Sequence, residues 1–198
     1  MTIKVDEIAA VLQRGGIVLM PTDTIYGLHA LANDPRAIER LTEIKGRDET
    51  KPFIVIGASR EQLEQSGATF TQRARAAVSE LWPGPLTAIV PLRKTVAASR
   101  GSTSIGVRVP ALQWLRDLLM QTGPLASTSV NRSGEPPMTD PKSLSLELQS
   151  QINLTVDEGL KAGEASAIVD FTGDEPRFIR EGDSFFTQKV WKTLRKSL

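Results

Sequence analysis

Apolar Ile8, Val11 and Leu12 share one helical face over residues 6–14, and Gly15-Gly16 ends that period. Ile17-Val18-Leu19-Met20 follows as an unbroken apolar run, the mark of a buried strand, and Pro21 is expected to stop it. Asp34 then Pro35 form a helix start with proline at the first helical position, and Ile38, Leu41 and Ile44 mark the buried stripe of a helix that delivers Lys45 and Arg47 at its end. Phe53-Ile54-Val55-Ile56 reads as the next strand, and Ser59 with Gln62 resembles a capping box. A helix over 71–81 leads through Trp82-Pro83-Gly84-Pro85 to strands at 86–90 and 105–109, then to a helix over 111–122. Leu125-Ala126 then leads into Ser127-Thr128-Ser129-Val130-Asn131, hydroxyls and an amide expected just after a strand. Later strands are predicted at 154–156, 168–171 and 178–180, before a closing helix over 184–195.

Strands alternating with helices predict an α/β fold, and the strand-to-strand step between residues 86 and 109 predicts some antiparallel pairing within the sheet. With 198 residues, 40% of them apolar, the chain can bury one substantial core, so residues 1–198 are expected to form one domain. Residues 134–141, rich in proline and polar side chains, are expected to form a surface loop and a candidate lid.

Lys plus Arg (24) nearly balance Asp plus Glu (23), so a formal charge of +1 gives no global steering toward polyanions, and any such attraction is local. Cysteine is absent, which removes disulfides, thiolate-zinc sites and cysteine nucleophiles. The opening Met1-Thr2-Ile3-Lys4-Val5-Asp6-Glu7 is acidic where a secretory signal is basic and then apolar, and no apolar run reaches the roughly 18 residues needed to span a bilayer. A cytoplasmic protein without a membrane partner is expected. Glycosylation-like matches at Asn131 and Asn153 are accidental on that reading.

Neither G-x-x-x-x-G-K-[ST] nor G-x-G-x-x-G occurs, so nucleotide binding would need a phosphate site of another kind. His29 is the only histidine, which excludes a multi-histidine metal cluster; it falls in a predicted loop and is expected to be structural. Lys45-Gly46-Arg47 offers a point charge and a rigid donor fork at a helix end, suited to phosphates, or else two ordinary basic residues complementing a helix C-terminus. About eighty residues later, Ser127, Ser129 and Asn131 could orient the same ligand or merely cap a turn. Pro21-Thr22-Asp23-Thr24-Ile25-Tyr26-Gly27 follows a strand end, where open α/β sheets dock ligands; Thr22 and Thr24 would be ligand hydroxyls, or Asp23 would satisfy a local turn. Arg108, inside an apolar strand, must be paired, snorkelled or aimed at an anion, and Arg180 raises the same question.

Together these segments resemble the YrdC-like family of threonylcarbamoyl-AMP synthases. The likeness runs from Gly15-Gly16-Ile17 and the Pro21 to Gly27 turn, through Lys45-Gly46-Arg47, Trp82-Pro83-Gly84-Pro85-Leu86-Thr87 and Val107-Arg108-Val109-Pro110. It continues over residues 127–134, Ile168-Val169-Asp170-Phe171-Thr172-Gly173 and Ile179-Arg180-Glu181-Gly182. The resemblance implies a twisted open sheet of mixed parallel and antiparallel strands flanked by helices, with a concave, positively charged site. It implies condensation of L-threonine, bicarbonate and ATP into threonylcarbamoyl-AMP and pyrophosphate, for N6-threonylcarbamoyladenosine modification of tRNA. Carried over by motif, Lys45, Arg47, Ser129 and Asn131 would be catalytic and hold the nucleotide, with Ser104, Pro137 and Arg180 also near ATP. Thr22, Arg108, Ser127 and Ser166 would surround threonine. Mg²⁺ would arrive with ATP, with no protein side chain predicted as its ligand, and the product would pass to a separate transferase complex.

Two departures from the family pattern stand out, Ile56 where a histidine is common and Ala167 where a threonine is common, and both bear on the amino-acid pocket. The chain ends near where shorter members end. A nonenzymatic RNA-binding module is the alternative from another class, on the strength of Lys189, Lys192, Arg195 and Lys196, with a YciO-like paralogue acting on another substrate as the nearer one. The cysteine-rich zinc motifs of the hydrogenase-maturation carbamoyltransferases, which contain this type of domain, are missing.

Overall fold

The structure is a computed structural model that describes residues 4–46, 50–130, 138–161 and 163–196. Its helices are α1 (Val5–Gln13), α2 (Pro35–Lys45), α3 (Arg60–Ser66), α4 (Gln72–Leu81), α5 (Gln113–Thr122), α6 (Leu146–Gln151) and α7 (Ser184–Lys196). The strands are β1 (Val18–Pro21), β2 (Tyr26–Leu31), β3 (Ile54–Ile56), β4 (Leu86–Pro91), β5 (Ser104–Arg108), β6 (Leu125–Ser129), β7 (Leu154–Thr155), β8 (Ala167–Asp170) and β9 (Arg177–Arg180). They form a nine-stranded sheet in the order β7-β1-β2-β6-β3-β5-β4-β8-β9. Pairs β1/β7, β3/β5 and β4/β8 are parallel and the rest antiparallel, so the mixed open sheet expected from the sequence is present.

Several local expectations change. Pro21 does end β1, but as its last residue and not beyond it; it stands opposite Tyr26 at the mouth of a β1–β2 hairpin, a strand end where the missing N–H costs little. Residues 26–31, read as loop, form β2 between β1 and β6, which places His29 in a central strand instead of a loop. Glycine and histidine on one face of β2 hide the alternation that Tyr26, Leu28 and Ala30 supply on the other. Ser127 and Ser129 lie within β6 and not beyond it, and α6 adds a short helix that periodicity does not reveal.

The sheet's two faces have different cover. Leu19, Tyr26, Leu28, Val55, Ala88, Val107 and Ala126 face one core, closed by Ile38 and Leu41 of α2, Ala74, Val78 and Leu81 of α4, and Val190 and Leu194 of α7. On the other face, Val18, Met20, Ile56 and Leu125 pack beneath Ile8 and Leu12 of α1 and Leu115, Leu118 and Leu119 of α5. Side chains alternate between faces along each strand, so Gly27, Ser127, Ser129, Ile54, Thr87, Arg108 and Ile168 share this second face. They line its uncovered part.

Candidate functional site

That uncovered part is a hollow of about 910 Å³. Lys45, Lys51, Arg108 and Arg180 line it together with the carboxylates of Glu43 and Glu147. Its hydroxyls come from Thr22, Thr24, Thr87, Ser127, Ser129 and Ser166, and its apolar wall from Ile25, Ile54, Ile56 and Ile168.

Lys45 is delivered by α2. Asp34 caps the start of that helix, its Oδ1 accepting from the amides of Arg36 at 3.0 Å and Ala37 at 3.3 Å, and Pro35 sits in the first turn. Gly46 ends it in the left-handed region at φ 54°, where glycine avoids the Cβ penalty. From that end the Lys45 Nζ donates to the carbonyl of Ser129 at 2.7 Å, joining the close of α2 to the close of β6. The two motifs separated in sequence therefore meet through Lys45 and Ser129. Arg47, Asn131 and Pro137, the other expected nucleotide residues of these stretches, lie outside the described residues, as do residues 134–137 of the 134–141 segment.

Arg108 is 5% exposed and uses one donor on each of its three guanidinium nitrogens. Its Nε donates to Gly84 O at 3.1 Å, its Nη1 to Thr24 Oγ1 at 2.9 Å, and its Nη2 to Asp23 Oδ1. Thr22 gives its single hydroxyl proton to Ile25 O at 3.0 Å, so the Thr24 hydroxyl is the donor in the 2.8 Å contact between the two threonines. Thr22 Oγ1 also faces the amides of Thr24 and Ile25. Thr22 thus has no spare hydroxyl proton for a ligand, and Asp23 answers Arg108 and not a local turn.

Across the hollow, Arg180 donates through Nε and Nη2 to Ser166 O at 3.0 and 2.8 Å, while Ser166 Oγ meets Thr87 Oγ1 at 2.8 Å. Burial, and then the positive charge of Arg108, hold the Arg180 guanidinium below its ordinary pKa. Ser127 stands directly across from His29 in the β2–β6 ladder, and its Oγ is 3.1 Å from His29 Nε2. Burial pushes His29 down to about 4, with the charge of Arg108 acting in the same direction, so the ring is neutral near pH 7. Tyr26 lies under the rim, its hydroxyl accepting from the Glu158 amide at 3.0 Å and donating to Gly159 O at 2.8 Å. Burial raises the Tyr26 phenol, and the nearby carboxylates of Asp157, Glu158 and Asp140 add to the rise.

Lys45, Ser129, Thr22, Arg108, Ser127, Ser166 and Arg180 are thus brought to one hollow. Ser104 is not among its lining residues: it shares a face with Arg108 but starts the same strand, four residues away. Of the two departures, Ile56 lines the hollow in register with Arg108, whereas Ala167 alternates away from it beside Ile168. Thr87 and Lys51 also line it without having been expected there; the signal for Thr87 is a polar residue out of phase with Leu86, Ala88 and Val90.

A threonylcarbamoyl-AMP synthase of Pyrococcus abyssi is 33% identical over 178 residues, 88% of this chain and 52% of that protein. The structure of P. abyssi Sua5 complexed with L-threonine superposes with a TM-score of 0.85 at 32% identity, covering 94% of this chain and 57% of that one. E. coli YciO gives a TM-score of 0.81 at 26% identity, covering 90% and 89% of the two chains. The chain therefore spans about half the length of the Pyrococcus proteins and nearly all of YciO. Residues 10–182 match the profile described as "Telomere recombination" that defines the Sua5/YciO/YrdC family, and the chain belongs to that family.

Proposed function

We propose that this chain is an L-threonylcarbamoyladenylate synthase, joining L-threonine, bicarbonate and ATP and releasing pyrophosphate. The observation that carries the proposal is the meeting of Lys45 with Ser129 on a hollow also lined by Arg108 and Arg180, without a glycine-rich phosphate loop. The likeness to relatives of that name, and to a Sua5 bound to L-threonine, supports the same reading.

In the first step the neutral amine of threonine attacks bicarbonate; an N–C bond forms, water departs and a carbamate results. In the second, a carbamate oxygen attacks the α-phosphorus of ATP, the bond from that phosphorus to the bridging oxygen breaks, and pyrophosphate leaves. An anion attacking a polyanion meets like-charge repulsion first. Lys45, Arg47 and Arg180 offset it at the phosphates, with Ser129 and Asn131 aligning the nucleotide and Pro137 at its edge. Arg108, Ser127 and Ser166 hold the amino acid, with Thr22 closing the turn that carries Thr24 and Ile25, so rate enhancement comes from positioning and electrostatics without a protein nucleophile. Among the described residues no three His, Cys, Asp or Glu side chains gather to hold a metal. Mg²⁺ carried with ATP would lower the charge of its phosphates.

On this reading residues 1–198 act as one domain in the cytoplasm, and the adenylate passes to a transferase complex that modifies tRNA. No helix among the described residues is long and apolar enough to cross a membrane. The test is pyrophosphate release from wild-type protein, with the adenylate identified by mass spectrometry. Release is expected only with all three substrates present; release indifferent to threonine rejects the assignment. The likeness to YciO, with Ile56 in the wall beside Arg108, favours a second reading in which another amino acid is preferred, and a substrate panel in the same assay decides between them.

A further inference from the structure

A guanidinium carries five N–H donors. Three of those on Arg108 are used, by Gly84 O, Thr24 Oγ1 and Asp23 Oδ1, which leaves two on a residue that lines the hollow. Asp23 is itself nine-tenths buried, with its side chain 10% exposed against 6% for Arg108. Its second oxygen, Oδ2, is buried without a hydrogen-bond partner. A carboxylate in that state is costly unless a cation answers it, and Arg108 is the cation that does so. The pair is neutral as a unit. What it presents to the hollow is a pair of directed N–H groups on a fork held at three points, not a mobile positive charge.

The directed chain of hydroxyls completes the clamp. Proton donation runs from Arg108 Nη1 to Thr24, from Thr24 to Thr22, and from Thr22 to the Ile25 carbonyl, so no member can turn without breaking its neighbour's bond.

We propose that Asp23 is a positioning residue for amino-acid recognition: it fixes Arg108 so that the two remaining N–H groups receive the substrate's carboxylate in one orientation. The inference rests on the proposed function for the identity of that substrate. It assigns a division of labour in which Lys45 and Arg180 supply net positive charge for phosphates, while the Asp23–Arg108 pair supplies geometry.

The test uses Asp23→Asn, which keeps the shape and removes the charge, beside Asp23→Ala. Threonine and ATP affinities are measured by calorimetry, melting temperature is recorded, and Arg108 guanidinium signals are followed by ¹⁵N NMR. In the wild type the Arg108 Nη signals are expected to be separately resolved. In both variants they should merge as the fork is freed, with the threonine Kd rising by roughly tenfold or more for the alanine variant and less for the asparagine variant. The ATP Kd should stay within about twofold. Unchanged threonine affinity in both variants overturns the inference, and so does a parallel loss of threonine and ATP binding together with a lowered melting temperature. Wild-type protein that binds no threonine removes the proposed function, and with it the substrate named here; resolved Arg108 signals that merge in the variants would still establish the clamp.

Discussion

At the scale of single residues, the site is made by side chains whose surroundings differ sharply from those of a surface copy of the same residue. Lys45 bridges two elements through the Ser129 carbonyl, so Lys45→Ala removes a charged hydrogen bond worth roughly 1.5–3 kcal/mol together with a cation of the hollow. Nucleotide affinity and turnover should both fall by at least tenfold, read by calorimetry and pyrophosphate release. His29 makes a different prediction. Its pKa drops from an ordinary 6.5 to about 4 on folding, so the unfolded chain takes up a proton that the folded chain refuses. The stability it contributes is whole above pH 6.5 and is lost as pH falls from 6.5 through 4, by an amount on the order of 3 kcal/mol. Urea unfolding across that window should show the slope in the wild type, and His29→Gln should flatten it. That Lys45 and Ser129 belong to one site is legible in the sequence through residue types and motif order, and the two do meet on one hollow. The Asp23–Arg108 pairing is not, since nothing local ties positions in different hairpins.

At the scale of elements, sequence and structure agree best where an end is chemically marked. The α2 helix starts after Asp34 as the sequence predicts and delivers Lys45 at its end, because the cap, the proline and the glycine each impose their own geometry. Those marks can be tested against the site. Asp34→Ala loses two capped amides and should cost about 1 kcal/mol in a denaturant titration. Gly46→Ala meets no atom within 4 Å, so its cost is conformational alone, about 1 kcal/mol for a side chain in the left-handed region. Only the glycine change alters the direction in which the chain leaves α2 toward Arg47, and it should weaken nucleotide binding while Asp34→Ala does not. Strand β2 marks the opposite limit. It carries Gly27 and His29 on one face, and its place in the ladder depends on pairing with Ser127 and Ser129 about a hundred residues later, which no local pattern encodes.

At the scale of the whole molecule, one sheet serves two purposes because its faces are covered unequally. The α2, α4 and α7 side is closed over a continuous apolar core, while α1 and α5 cover only the β1, β3 and β6 end of the other side. The strands that continue past that cover switch from Val, Met and Leu to Ser, Thr and Arg at alternate positions, so the polar hollow is the sheet's own uncovered surface. The strand order could not be read ahead of the structure, because neighbours such as β2 and β6 are joined by pairings distant in sequence. The division predicts a separation of effects. Leu12, fully buried between α1 and the covered part of the face, should cost about 2–5 kcal/mol as Leu12→Ala with threonine and ATP affinities unchanged, since it contributes nothing to the hollow. Thr87→Val keeps the volume of a residue in the middle of the sheet but deletes the hydroxyl that holds Ser166, which in turn accepts from Arg180. Its stability should change by about 1 kcal/mol or less, yet ligand affinity should fall severalfold. Chemical denaturation and calorimetry on the same two proteins measure both effects, and equal losses of affinity in both variants would show that the two parts of the face do not act independently.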